Sequence, residues 1–176
     1  VSLDSSYVVS VKPRWIDVQS TKYTRQSAKS GQELTFMQTL TDYTGEYAPV
    51  LAVPKYVQAV DFAANNHLKA VEYLRLSDTV RYVNTDLVNL RVNKGYQLSG
   101  ENPVFAVTAD GILTNAAGTE YIGIPYNTTK LTIPDNIERV TLPKNTQLRQ
   151  LVLEAEDAAS LPKIDYGGMK SGTIIV

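Results

Sequence analysis

Cysteine is missing from the 176-residue chain, which excludes disulfide staples, thiol catalysis and Cys-ligated zinc. Export stays open, because a chain of this length can rely on its core instead of staples. A charge excess of one sign is missing as well. Seventeen Lys and Arg against eighteen Asp and Glu leave a net charge of −1, so no general field draws the chain to nucleic acid or to an anionic membrane. No run approaches the roughly 18 apolar residues of a spanning helix, so no membrane insertion is expected. There is no charged-then-apolar signal segment, and the chain opens on Val1 instead of an initiator Met. It reads as a mature or excised fragment. A Gly-x-Ser-x-Gly elbow and a dinucleotide fingerprint are absent too, and no cofactor is expected.

What is present describes an ordinary folded chain, 43% hydrophobic and 20% charged. One phrase recurs: apolar, any, apolar, then Pro or Ser, followed by apolar residues at three-residue spacing. It occurs as LAVPKYVQAV (51–60), LRLSDTVRYV (74–83) and LTIPDNIERV (131–140). The first two copies begin 23 residues apart, the scale of a solenoid unit that buries its apolar face only against its neighbours. Weaker copies lie at Leu90–Val92, Val140–Pro143 and Leu151–Leu153. Alternation puts Leu131 and Ile133 on one face of a strand. Pro134 lacks an amide hydrogen and ends that strand. Asp135 and Asn136 favour a turn, and Ile137 and Val140 return to the interior.

Residues 102–125, NPVFAVTADGILTNAAGTEYIGIP, break the repeat. Asp110-Gly111 and Asn115–Gly118 are turn signals that bracket ILT and EYIGI, which predicts a β-hairpin inserted into one unit. Residues 1–47 are read as an irregular N-terminal cap or degenerate repeats. Within them VSLDSSYVVSV (1–11) is a degenerate copy of the phrase, and ELTFMQTL (33–40) is a strand or a short helix. QSTKYTRQSAKSGQ (19–32) is polar and reads as a loop or a poorly ordered edge. Five Lys and Arg against two Asp in residues 1–30 are spread among Ser, Thr and Gln, the pattern of a solvated loop.

The three full phrases, together with Asn102, Pro103, Phe105, Val107, Asp110, Gly111, Ile112, Leu113, Gly118, Pro125 and Pro134 in order, resemble the BspA-like leucine-rich repeat proteins of bacterial surfaces. The resemblance covers about residues 48–155 and extends to SGTIIV (171–176) as a shortened final strand. It departs from the family where a helical stretch ending in a buried Cys is expected. Val60–Asn66 approximates that stretch without the Cys, and after Val83 it is nearly absent.

The expected fold is α/β to mainly β: a short leucine-rich-repeat solenoid over 48–176, with a parallel concave sheet and the hairpin at about 102–125. The resemblance implies a bacterial cell-surface or extracellular protein that binds proteins, host matrix or neighbouring cells without catalysis. The alternative is a carbohydrate-binding accessory module of a larger surface protein. The middle residue of each strand points outward, so Ala52, Arg75, Arg91, Thr132 and Val152 are expected to form one partner-binding row.

Other groups with chemical potential have plainer readings. His67 is the one histidine, without a second for a metal site, and reads as an exposed or hydrogen-bonded turn residue. Glu154, Glu156 and Asp157 lack the spacing of a calcium loop and read as a solvated face or a helix start. Tyr166–Ser171 lacks the glycines of a phosphate loop at Ile164 and Met169 and reads as a turn. Eleven tyrosines suit binding surfaces, and they also suit strands. Asn127-Thr128-Thr129 is a formal glycosylation acceptor.

Overall fold

A computed structural model describes residues 8–10, 16–27, 31–45, 47, 49–166 and 174–176. Each full copy of the phrase forms a strand, a turn and a return strand. In the first, β4 (Val50–Ala52) stops short of Pro54, the Val57 N–H donates to the Pro54 carbonyl at 3.1 Å, and β5 (Ala59–Val60) returns. In the second, β6 (Ala70–Leu76) meets Ser77, Val80 donates to the Ser77 carbonyl at 3.3 Å, and β7 (Tyr82–Val83) follows. In the third, β12 (Lys130–Ile133) meets Pro134, Ile137 donates to the Pro134 carbonyl at 3.2 Å, and β13 (Arg139–Thr141) follows. Val57, Val60, Val80, Val83, Ile137 and Val140 are all buried, as the three-residue spacing predicts.

Stacking is parallel. β1 (Val8–Ser10), β4, β6 and β8 (Arg91–Leu98) form one sheet, and β12, β14 (Gln150–Leu153) and β16 (Ile174–Ile175) form another. The return strands pair in the same sense, β5 with β7 and β13 with β15 (Lys163–Asp165). This is a β-solenoid. The α/β expectation is corrected: among the described residues there is no α-helix, only a 3-10 turn at Ala158–Ser160. Asparagines explain the segment where a helix was anticipated. Buried Asn66 donates through Nδ2 to Leu68 O at 2.6 Å and Asn89 O at 2.8 Å, and Asn89 donates to Phe62 O at 2.8 Å. These bonds satisfy carbonyls that a helix would otherwise use.

Two insertions interrupt the winding. β2 (Ile16–Ser27) and β3 (Gly31–Tyr43) form a long antiparallel ribbon, and Thr39 and Leu40 of β3 pair in parallel with Ala59 and Val60. The loop expected over 19–32 is therefore strand at 19–27 and 31–32, while 28–30 lie outside the described residues. An antiparallel partner satisfies the backbone without apolar alternation, and Thr and Tyr suit the extended chain. The second insertion has three strands where a two-stranded hairpin was expected: β9 (Phe105–Val107), β10 (Leu113–Asn115) and β11 (Glu120–Gly123). Its turns fall where Asp110-Gly111 and Asn115–Gly118 predict, with Gly111 and Gly118 at φ of 81° and 71°. β11 pairs in parallel with β13, so β3 and β11 take equivalent places, each feeding an insertion back into the return layer.

The second insertion also divides the sheet. Tyr96 N–H of β8 donates to the Gly111 carbonyl at 2.8 Å, so the turn occupies the edge where another strand would pair. A Cβ on Gly95 would lie 2.9 Å from the Gly111 Cα, and one on Gly111 would lie 2.8 Å from the Gly95 Cα. A single parallel concave sheet, with the hairpin inserted, was expected; its strands fall into two sheets, β1-β4-β6-β8 and β12-β14-β16. The interior divides likewise into a cluster running from Leu40 to Leu113 and another from Ile112 to Leu151.

Candidate recognition face

The outer face of the β1-β4-β6-β8 sheet carries the polar side chains with defined geometry. Along β6 and β8, Val71, Leu74, Leu76, Val92 and Tyr96 point inward and are buried. Alternation sends Arg75, Arg91 and Gln97 outward, where they are half-buried.

Ala52 pairs with Arg75 in register, and Arg75 pairs onward with Gln97. Thr132 pairs with Val152, but in the other sheet. Arg91 stands opposite Ala70, at the far end of β8 from Gln97. The five residues expected in one row thus divide three ways. The cause is register: Leu74-Arg75-Leu76 aligns with Tyr96-Gln97-Leu98, not with Leu90-Arg91-Val92. Tyr replaces the first Leu of that copy, which hid it. The recoverable signal is Ser99, which follows Leu98 as Ser77 follows Leu76.

Two arginines are held in place. Arg75 donates from Nε and Nη2 to Gln97 Oε1 at 3.0 and 2.9 Å. Arg91 lies over the Tyr126 ring, its Cζ 4.7 Å from the centroid, a cation–π stack. Tyr126 is fixed in turn, its N–H donating to Val92 O at 2.8 Å and its Oη accepting from Gln147 Nε2 at 2.5 Å. Between the arginines, Lys94 pairs with Glu72 at 3.0 Å, and this hydrogen bond pushes the Lys94 ammonium above its usual range. Asn93 Nδ2 reaches Glu72 at 3.5 Å, and its Oδ1 is buried without a partner. Sequence reasoning missed Gln97, Tyr126 and Gln147, whose roles depend on neighbours in other units.

His67 is exposed, and its Nδ1 lies 2.5 Å from Asp42 Oδ2. The other Asp42 oxygen accepts from the backbone N–H of Tyr43 and of His67, each at 2.8 Å. Burial raises the Asp42 pKa, but the His67 ring and these N–H groups outweigh it and hold the carboxyl below its ordinary 3.8. The pair ties the first insertion to the second unit. Asp157 caps the 3-10 turn, accepting from Ser160 N–H at 2.9 Å, while Glu154 and Glu156 are exposed. Asn127 is exposed in its turn. Gly167–Ser171, which bear on the phosphate-loop question, lie outside the described residues.

A narrow cleft opens beside Asn84, Asp86 and Asn89 over Val60, Phe62, Leu74, Leu90 and Val92. It has room inside for about one water. Tyr96 is wholly buried and its hydroxyl has no partner. Burial, and secondarily the Asp86 charge, push its pKa far above the phenol range.

No protein-family model matches the chain, and no curated protein matches it. Among solved structures, the pneumococcal vaccine antigen PcpA is similar at 16% identity and a TM-score of 0.44, over 70% of this chain and 38% of that one.

Proposed function

We propose that the chain is a non-catalytic recognition module on the outside of a bacterial cell, adhering to host or neighbouring cells through the outer face of the β4-β6-β8 strands. The observation that carries this reading is that Arg75 and Arg91 are positioned on that face by Gln97 and Tyr126, and neither makes an ion pair among the described residues. Preorganised arginine and tyrosine side chains are the residue types that dominate binding hot spots, because little rotamer freedom is left to lose on contact. The outside location follows from the resemblance to BspA-like surface proteins. Beads coated with the chain and passed over fixed epithelial monolayers test the reading. Arg75→Glu combined with Arg91→Glu is expected to abolish retention, while the loss of the Gln97 hydrogen bonds and of the Tyr126 stack lowers the melting temperature by only a few degrees. Retention equal to the unmodified chain rejects this face.

A further inference from the structure

We propose that Arg91, braced on Tyr126, is a subsite for the carboxylate of an acidic sugar. The proposal rests on the outer face of β8 being a recognition surface and names what that face recognises. Three observations converge on it.

First, the Arg91 guanidinium is half-buried and makes no hydrogen bond to the described residues. A guanidinium carries five N–H donors in a planar fork that matches a carboxylate in bidentate fashion. The acid on the neighbouring strand, Glu72, already accepts from Lys94 and Asn93. Second, the surroundings hold the fork still and leave room beside it. Tyr126 supplies the stacking surface and is locked by Val92 and Gln147. The cross-strand neighbour of Arg91 is Ala70, whose methyl leaves that side low. Third, Asn93, two residues along the same face, has an acceptor oxygen with no partner. Rotation of the Asn93 side chain, which gives up the long 3.5 Å contact to Glu72 while Lys94 keeps its own, offers that oxygen to a hydroxyl. A donor fork for carboxylate beside an acceptor for hydroxyl is the complement of a sugar acid. A protein partner fits less well. Its interface would need apolar anchors, and among the described residues the exposed large aliphatic side chains, Val88, Leu161, Ile175 and Val176, lie on none of β4, β6 and β8, nor do the exposed Tyr47, Tyr56, Tyr82 and Tyr166.

Isothermal titration of the intact chain tests this with galacturonic acid trimer and 3′-sialyllactose as the two carboxylated probes. The methyl ester of the trimer, lactose and a hexaglutamate peptide are the comparisons. At least one carboxylated sugar is expected to bind about tenfold or more tighter than its uncharged counterpart, and whichever binds separates uronic from sialic sources. Arg91→Lys keeps the charge but loses the fork and the planar stack, and is expected to weaken binding about tenfold at unchanged melting temperature. Tyr126→Phe keeps the stack and releases Gln147, and is expected to weaken it less than Arg91→Lys. Silence from both sugars, equal binding of the ester, tighter binding of the peptide, or full binding by Arg91→Lys each overturns the proposal. If both sugars are silent while the double glutamate variant still loses retention on cells, the recognition face stands and only its assigned ligand falls.

Discussion

Asn102 satisfies four backbone groups with one amide. Its Nδ2 donates to Ser77 O at 3.1 Å and Val80 O at 2.9 Å, and its Oδ1 accepts from Val104 N at 2.8 Å and Phe105 N at 3.1 Å. It continues a stack of turns, for Ser77 Oγ donates to Pro54 O and Thr79 Oγ1 to Val57 O one unit earlier. Replacement by Ala strands these groups in a site that is 9% exposed, and urea unfolding is expected to show a loss of about 2–4 kcal/mol. Asn102→Asp keeps the accepting half but turns a carboxylate against two carbonyls, so it is expected to be no milder. Asp42 makes a prediction of a different kind. Its carboxyl titrates below 3.8 in the folded chain, so its contribution is complete above the ordinary carboxylate range and is lost as the pH falls through its lowered folded pKa. Between pH 6 and pH 3, Asp42→Asn is expected to lose less stability than the unmodified chain, as read from urea midpoints; an equal loss would place the acid sensitivity elsewhere.

At the scale of elements, the crossing of the second insertion over β8 depends on two facing glycines. Gly111 has a positive φ that L side chains resist, and Gly95 is ordinary strand backbone whose missing side chain makes room. Gly95→Ala therefore isolates the steric part. It is expected to cost about 1–3 kcal/mol in thermal unfolding and to raise amide exchange at Tyr96, whose N–H bonds to Gly111. A mild effect on both would mean that the turn sits loosely on the strand. How far such features can be read in advance depends on their range. The strand stops before Pro54 and Pro134 are local, because a missing N–H ends a ladder in any context, and both turns of the second insertion are carried by short dipeptide and glycine signals. The β2–β3 ribbon was partly legible: ELTFMQTL (33–40) reads as a strand or a short helix, but the polar residues 19–32 carry no apolar alternation to mark a strand, although their pairing, with Ser27 opposite Gly31, is local. The face was half legible: outward alternation placed Arg75 and Arg91, but which residue lies beside which is register, and register follows from Tyr96-Gln97-Leu98 aligning with Leu74-Arg75-Leu76.

For the whole molecule the question is whether it unfolds as one body. In a solenoid each unit contacts only its neighbours, so stability is close to a sum of unit and interface terms. Here the interface between β8 and β12 is not a strand ladder. Among the described residues its hydrogen bonds include Tyr126 and Asn127 donating to Val92 O and Asn93 O, Thr85 Oγ1 donating to Ile122 O, and Asn145 donating from its backbone to Asp86 O and from Nδ2 to Leu87 O. Leu87, buried at a positive φ of 62°, sits at this junction, and its conformation is sustained by those partners at some cost in strain. A few bonds across such a joint couple two interiors more weakly than a continuous sheet does. Ile133, 1% exposed in the later cluster, and Leu74, 1% exposed in the earlier one, allow the joint to be tested from both sides. Truncating either to Ala should cost about 2–5 kcal/mol locally. Under native-state hydrogen exchange, Ile133→Ala is expected to lower protection across β12 and β14 while β4, β6 and β8 keep theirs. Leu74→Ala is expected to do the reverse. A uniform fall in protection from either substitution would show that the Asn145 and Tyr126 contacts weld the two interiors into a single cooperative unit.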